Sequence, residues 1–309
     1  MYTIPEIANI IGGKVIGNGF GHISKLSADS RAISFPEKTL FIAIKTCRND
    51  GHKYIDSTYK NGVRSFVVSD PNIDFSKYDN SNFIVVDSTL DALQKLAANH
   101  RNRFKLPVIG ITGSNGKTIV KEWLFQLLNK DLRITRSPRS YNSQIGVPFS
   151  VWEMNADSQI AIFEAGISQP GEMAKLAPVI NPTIGIFTNL GEAHQENFSS
   201  LKQKCNEKLL LFKNCDILIY DKDNKLVDIS VRQAGLKAKL LTFGRCSDAD
   251  IQVLSTDKDA GRTTVKYLYK SVYHEFEIPF TDDASIENAL LCLAVMLHLD
   301  IPQKDINER

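Results

Sequence analysis

The chain has 309 residues, of which 43% are hydrophobic and 23% charged, a composition typical of a folded protein with a substantial core and a length that suits two domains. The formal net charge is only +2, so the composition gives no reason to expect nucleic acid or a membrane surface as a partner. The five cysteines lack metal-type spacing and fit reduced thiols better than a disulfide framework. The first residues lack a signal-peptide pattern, so we expect a cytoplasmic protein.

The first part of the chain alternates short strands with helices. The strands are rich in β-branched and aromatic residues, and the helices have apolar residues at helical spacing. The predicted elements are strands over 39–44, 65–68 and 82–86 and helices over 54–61 and 89–102. Pro107 opens a new stretch, so we predict a domain boundary near Phe104. This division gives a small mixed α/β N-terminal domain over 1–104 and a second domain over 105–309.

The second part repeats the order strand, loop, helix. Its predicted strands cover 108–112, 159–164, 183–188 and 216–220, and its helices cover 117–129, 170–178 and 199–212. Three β-rich runs over 240–243, 263–269 and 273–278 and a final helix over 285–299 follow. Alternation of this kind predicts a doubly wound, mainly parallel α/β sheet of the P-loop type, which binds ligands at the carboxyl ends of its strands.

The segment TGSNGKT is the strongest local signal, because a buried strand runs through a glycine-containing loop into a helix that starts with Lys-Thr. Gly113 and Gly116 permit backbone angles that turn amide groups toward one point, which suits a phosphate. Lys117 would reach the outer phosphates, and the Thr118 hydroxyl would hold Mg²⁺. The general loop has a glycine where this chain has Ile111, and an ordinary tight turn is the alternative. The candidate ATP-binding residues are Gly113, Ser114, Asn115, Gly116, Lys117 and Thr118.

These letters carry a family resemblance. TGSNGKT resembles the ATP loop of the Mur ligases and of the related folylpolyglutamate synthetases. The stretch FEAGISQPGEMAKLAPVINPTIGIFTNLGEAHQENFSSL resembles the Mur-ligase central domain almost end to end, and the resemblance as a whole covers nearly the entire chain. It implies an ATP-dependent ligase that forms amide bonds, with ATP and Mg²⁺ as cofactors.

Three further residues are implied to handle the metal. Glu164 ends a predicted strand and His194 follows the next one, and in the family the matching residues help to bind magnesium. Lys208 lies fourteen residues after His194, which matches a family lysine that is carbamoylated so that its new carboxylate supports a metal ion. Without the resemblance, such residues are more often hydrogen-bonded groups or exposed lysines. The catalytic candidates are therefore Lys117, Lys208 and His194.

The remaining site residues also follow from the resemblance. The segment YNSQIGVP resembles a family segment that borders the substrate, which implies a substrate contact by Asn142, although Ser143 replaces the more usual second Asn. Asn288 resembles the Asn that approaches adenine, with a polar position on an amphipathic helix as the alternative. The patterns ADSR, LFIAIK and NDGH resemble the part of the family that holds a UDP-sugar. The implied contacts there are Ser30, Arg31, Lys45 and His52.

The order of the motifs most resembles the family member that adds D-alanyl-D-alanine to UDP-N-acetylmuramoyl-tripeptide through an acyl phosphate. The segment SPRSYNSQIGVPFSVW also resembles forms of that ligase fused to an alanine racemase. The family has a third, C-terminal domain whose motif is absent from these 309 residues, so we expect weak activity from this chain alone. The alternatives are a ligase that adds diaminopimelate or lysine, folylpolyglutamate synthetase, and a non-catalytic nucleotide-binding module.

Overall fold

A computed structural model describes residues 1–46, 49–191 and 195–309. The chain divides into two compact units. The first comprises Met1–Phe104 and Gln144–Glu153, and the second comprises Lys105–Ser143 and Met154–Arg309. Among the described residues, no helix has the length and apolar character needed to cross a membrane.

The two units are built from sixteen strands and ten α-helices within the described ranges. In chain order, the strands are β1 (Tyr2–Thr3), β2 (Lys14–Ile16), β3 (His22–Ile23), β4 (Lys25–Ser27), β5 (Thr39–Ile42), β6 (Ser65–Val68), β7 (Asn82–Val85), β8 (Val108–Thr112), β9 (Ile134–Arg136), β10 (Ile160–Glu164), β11 (Ile184–Phe187), β12 (Ile217–Asp221), β13 (Lys239–Gly244), β14 (Ile251–Asp259), β15 (Arg262–Tyr269) and β16 (Val272–Ile278). The helices are α1 (Ile4–Ile11), α2 (Ile55–Lys60), α3 (Thr89–Asn102), α4 (Lys117–Leu128), α5 (Gly146–Trp152), α6 (Glu172–Ile180), α7 (Leu201–Leu209), α8 (Lys225–Gln233), α9 (Asp283–His298) and α10 (Gln303–Glu308).

The first unit is a five-stranded sheet in the order β2-β7-β6-β5-β4. Strands β4 to β7 run parallel to one another, and β2 is antiparallel to β7. Side chains alternate along β5, so that Leu40 and Ile42 pack in one core cluster while Phe41 packs in another with Phe66 and Phe83. The sheet is therefore covered on both faces, which confirms the predicted small mixed α/β domain.

The segment 144–153 belongs to the first unit, whereas the sequence analysis placed it in the second domain. Its helix α5 ends in Trp152, whose ring stacks on Tyr2 at a centroid distance of 5.1 Å and whose indole nitrogen donates to the Ser24 carbonyl. At the start of the segment, the Gln94 side-chain amide donates to the carbonyl and the side-chain oxygen of Gln144. These contacts give α5 its core partners within the first unit.

The second unit is a nine-stranded sheet in the order β16-β15-β14-β13-β12-β11-β8-β10-β9. The seven strands from β9 to β14 along this order are parallel, and β14, β15 and β16 form an antiparallel extension. This arrangement confirms the predicted doubly wound, mainly parallel sheet. Strand β8 lies between β11 and β10, so the loop that follows it opens at the carboxyl edge where such sheets bind ligands.

Most predicted elements appear within a few residues of their expected bounds, and β6, α3 and β8 have the predicted bounds. Several elements of the structure were not predicted, among them α1, β9, α8 and β14. Helix α1 is started by a capping box, in which Thr3 and Glu6 satisfy each other's backbone amides. Strand β14 is polar over its second half and therefore lacks an apolar run.

Candidate active site

The phosphate loop joins β8 to α4 through two glycines with positive φ. Gly113 has φ +149° and Gly116 has φ +80°. A Cβ atom at position 113 would lie 1.9 Å from the Thr188 hydroxyl, and one at position 116 would lie 2.5 Å from the Asn288 side-chain oxygen. Both positions therefore need glycine for conformation and for space. The second distance also shows that the buried Asn288 side chain lies against the loop, and its contact with a nucleotide stays a prediction.

The loop is held by the segment that follows β11. The Ser114 amide donates to the Asn189 carbonyl and the Asn115 amide donates to the Asn189 side-chain oxygen, both at 2.9 Å. The Gly191 amide donates to the Ser114 hydroxyl at 2.8 Å. The Ser114 and Asn115 amides are therefore already hydrogen-bonded. The N-terminal amides of α4 are the backbone donors that the site offers to an anion. Asn189 lies in the stretch that resembles the family but is not among the predicted site residues.

Three lysine ammonium groups gather around the same loop. Lys117 donates to the carbonyls of Gly113 and Ser114 at 2.9 and 3.0 Å, Lys208 donates to the Gly113 carbonyl at 3.0 Å, and Lys204 donates to the Gly191 carbonyl at 2.5 Å.

Burial perturbs two of these ammonium groups. It lowers the pKa of Lys117, and burial followed by the charges of Lys117 and Lys204 lowers the pKa of Lys208 to about 7. Concentrated positive charge at a helix N-terminus suits a polyphosphate. Lys204, which is not among the predicted site residues, is only 1% exposed.

A buried carboxylate faces the start of α4. Glu164, at the end of β10, is completely buried. Its Oε2 accepts a hydrogen bond from the Thr118 hydroxyl at 2.9 Å and a long one of 3.5 Å from the Asn142 side-chain amide. Its Oε1 forms an ion pair with Lys121 at 3.2 Å. The structure thus brings together Thr118, Glu164 and Asn142, which the sequence analysis named separately.

These oxygen atoms fit a magnesium ion. A hydroxyl and a carboxylate are the ligand types that Mg²⁺ prefers, usually together with phosphate oxygens and water. Within the described ranges, no group of three or more His, Cys, Asp and Glu side chains forms a ready-made metal cluster. The predicted ligand His194 lies outside the described residues, so its role stays a prediction.

The second unit has one cleft beside the loop and a second cleft that adjoins the first. One of about 270 Å³ is lined in part by Asn115, Asn189 and Asn224. The other, of about 280 Å³, shares Asp221 and Glu287 with it. Burial raises the pKa of Asp221 to about 6, and burial followed by the charge of Asp221 raises the pKa of Glu287. The first cleft therefore offers hydrogen-bonding groups next to the phosphate loop.

In the first unit, Arg31 is the most exposed of the predicted ligand contacts. Its side chain is 87% exposed, and its guanidinium donates to both carboxylate oxygens of Asp29 at 2.9 and 2.8 Å. These hydrogen bonds lower the pKa of Asp29 to about 2. The Ser30 carbonyl accepts a 3.5 Å hydrogen bond from the Asn61 side chain. Both Ser30 and Arg31 stay predictions as ligand contacts.

His52 has a supporting position in the same unit. Its Nδ1 lies 2.5 Å from an Asp50 carboxylate oxygen, and its Nε2 accepts from the Ser69 amide at 2.9 Å. The Lys45 ammonium lies 3.7 Å from the other oxygen of Asp50. Both ring nitrogens of His52 already have hydrogen-bond partners within the unit. This side chain therefore orients Asp50, which in turn lies next to Lys45. A direct contact of His52 with a ligand stays a prediction.

Comparisons with known proteins agree with this arrangement. A sequence profile described as the Mur ligase middle domain matches residues 111–296, and one described as the Mur ligase family, catalytic domain, matches residues 22–101. The chain is 29% identical over 308 residues to the UDP-N-acetylmuramoyl-tripeptide–D-alanyl-D-alanine ligase of Bacillus subtilis, covering 98% of this chain and 65% of the relative. The ligase of the same name from Rickettsia prowazekii is 31% identical over 272 residues, covering 86% and 59%.

Solved structures show the same fold. A crystal structure of MurF from Acinetobacter baumannii matches with a TM-score of 0.88 at 23% identity, covering 99% of this chain and 67% of that one. MurF from Thermotoga maritima in complex with ADP matches with a TM-score of 0.80 at 24% identity, covering 92% and 66%. The chain thus spans about three fifths of the length of the two curated relatives. Because the middle-domain profile alone matches more than half of its residues, the chain belongs to the Mur ligase family.

Proposed function

We propose that this chain supplies the nucleotide-binding and precursor-binding parts of an ATP-dependent ligase that joins D-alanyl-D-alanine to UDP-N-acetylmuramoyl-tripeptide. The curated relatives carry the name of this activity and match at 29 and 31% identity. The observation that supports the proposal best is the contact between Thr118 and Glu164 beside a loop surrounded by lysines. A phosphate tail and a cation need this combination of groups.

The proposed chemistry activates a carboxylate. The terminal carboxylate of the muramoyl peptide attacks the γ-phosphorus of ATP, ADP leaves, and an acyl phosphate forms. The amine of D-alanyl-D-alanine then attacks the acyl carbon, the phosphate leaves, and the amine loses a proton to give the amide. Phosphoryl transfer depends mainly on positioning and charge neutralisation. Lys117 and the N-terminal amides of α4 would bind the phosphates.

Magnesium would be held by Thr118 and Glu164, with His194 as a further predicted ligand, and when bound it would neutralise phosphate charge. Lys208 has the properties that carbamoylation requires. Its pKa of about 7 leaves much of the amine neutral near neutral pH. The neutral nitrogen can attack carbon dioxide, forming an N–C bond and releasing a proton. The resulting carboxylate would give the site a second anionic group.

The remaining residues are assigned by position. Asn288 lies against the phosphate loop, and the family resemblance assigns it to adenine; the cleft next to Asn115 would take the rest of the nucleoside. Asn142 would contact the peptide precursor. In the first unit, Arg31 and Lys45 would contact the pyrophosphate of the UDP-sugar, together with Ser30 and His52. With these substrates the protein would work in the cytoplasm, without nucleic acid or a membrane as partner.

Phosphate release from ATP, measured on the protein as it occurs in the cell, tests this function. We expect release that needs UDP-N-acetylmuramoyl-tripeptide and D-alanyl-D-alanine together. Release with a single diamino acid and a shorter precursor would instead assign a ligase that adds diaminopimelate or lysine. Binding of ATP without release under either condition would assign a nucleotide-binding module and refute the proposal. As a control, Lys117→Met should abolish release, because Lys117 is the ammonium group on the phosphate loop.

A further inference from the structure

Lys121 is a completely buried lysine in α4 to which the proposed mechanism assigns no role. Its ammonium group donates to the Ser137 carbonyl at 2.8 Å and to the Arg139 carbonyl, and it forms the ion pair with Glu164. A buried ammonium is destabilising unless it is fully paired. These contacts satisfy it, and they connect three separate parts of the second unit: α4, the end of β10, and the segment that precedes Asn142.

We propose that Lys121 is a positioning residue that fixes which oxygen of Glu164 faces the metal and phosphate site. Lys121 engages Oε1, while Oε2 lies 2.9 Å from the Thr118 hydroxyl. With one carboxylate oxygen tied to a buried ammonium, the other is held at the position where a cation would meet Thr118. The inference rests on the proposed function, since the orientation of Glu164 matters for catalysis only if a nucleotide and its cation bind there.

The same ammonium also positions the segment that carries Asn142. Lys121 holds the carbonyls of Ser137 and Arg139, and a few residues later the Asn142 carbonyl accepts from the Gly166 amide at 2.8 Å. The Asn142 side chain then reaches the same Oε2 of Glu164 at 3.5 Å. Lys121 therefore positions both the Glu164 carboxylate that carries this oxygen atom and the Asn142 amide that lies beside it.

A purely structural role for Lys121 makes a different prediction from the positioning role. If Lys121 only filled space and satisfied carbonyl groups, its replacement would lower the melting temperature and leave the metal requirement of ATP binding unchanged. If it orients Glu164, its replacement raises the Mg²⁺ concentration needed for tight ATP binding. The Mg²⁺ dependence of ATP binding therefore separates the two roles.

The experiment compares Lys121→Met, which removes charge and donors, with Lys121→Gln, which keeps donors but removes charge. ATP binding to the 309-residue chain is measured by titration calorimetry over a series of Mg²⁺ concentrations and in EDTA, and each variant is melted. We expect both variants to need roughly 10- to 100-fold more Mg²⁺ for half of the gain in affinity, as is typical when a partner of a metal ligand is lost. Their binding in EDTA should be close to that of the wild type.

Glu122→Gln is the matched control. Glu122 lies 3.2 Å from the Lys121 ammonium but has no contact with Glu164 among the described interactions. This variant therefore removes a charge next to Lys121 without removing the ion pair under test. We expect its Mg²⁺ requirement to equal that of the wild type.

The outcomes are distinguishable. A Mg²⁺ requirement that is unchanged in every Lys121 variant that melts cooperatively overturns the positioning role. A failure of both variants to melt cooperatively also overturns it, because Lys121 would then be a residue required for folding. A wild-type chain that binds no ATP at any Mg²⁺ concentration would instead refute the proposed function. A raised Mg²⁺ requirement in either folded variant, with Glu122→Gln unchanged, supports the proposal.

Discussion

Replacing Lys208 by Met should change how the stability of the second unit depends on pH. Burial lowers the pKa of Lys208 from its ordinary 10.5 to about 7. Below pH 7 this lysine is charged in both the folded and the unfolded chain. Between pH 7 and 10.5 the folded protein releases the proton that the unfolded chain keeps, so stability rises with pH. At about 1.36 kcal/mol per unit, the wild type should gain roughly 2–3 kcal/mol between about pH 6 and 9, relative to Lys208→Met.

Denaturant unfolding at the two pH values measures this difference. A Trp152→Phe background leaves Trp123 as the only tryptophan, so its fluorescence reports on the second unit. Buffers free of carbon dioxide keep the amine unmodified. The exposed Lys213→Met on the neighbouring segment serves as control and should show no such gain. Equal pH dependence of Lys208→Met and the wild type would refute the reasoning, because it would mean that Lys208 keeps its proton in the folded protein.

Three further substitutions test other parts of the structure. Gly113→Ala should destabilise the second unit by roughly 3 kcal/mol, because its Cβ would collide with Thr188. Gly171 has φ +86° and open space around it, so Gly171→Ala should cost only roughly 1–2 kcal/mol. Equal losses of stability in denaturant unfolding would contradict the predicted collision. Trp152→Ala should cost the first unit roughly 3–5 kcal/mol, as for a buried tryptophan, and a loss below about 1 kcal/mol would argue against its place in that core. Asp221→Asn should raise the melting temperature near pH 8 but not near pH 4. Burial raises the pKa of this carboxyl to about 6, so the destabilising effect of its charge disappears as pH falls through that value. A gain in melting temperature that is the same at both pH values would be inconsistent with a buried charge.

The doubly wound sheet and the phosphate loop were predictable because their signals are local. A buried strand, two glycines and Lys-Thr occur in consecutive residues, and each has a direct backbone consequence. The pairing of Thr118 with Glu164 could also be predicted. Glu164 ends β10, Thr118 lies in the first turn of α4 after the loop that follows β8, and β8 and β10 are neighbours in the sheet. The resemblance to a known family then supplied roles that the residues alone left open.

The buried lysines were not predictable in the same way. Lys121 and Lys204 look like the exposed lysines of any amphipathic helix, and only the packing of β10 and the Gly191 segment against them shows otherwise. The membership of α5 in the first unit was missed for a related reason. Its residues read as a short apolar run after a loop, and their partners lie more than fifty residues earlier in the chain.

Residues 144–153 belong to the first unit although they follow residues 105–143 of the second, so the first unit is discontinuous in sequence. During synthesis, its core lacks Trp152 until about half of the 309 residues have left the ribosome, by which time the phosphate loop has already emerged. An excised fragment that stops at Phe104 would leave the surface of α3 and β4 that α5 covers exposed, and should be prone to aggregate. A stable isolated version would need the α5 peptide supplied separately or attached through a short linker.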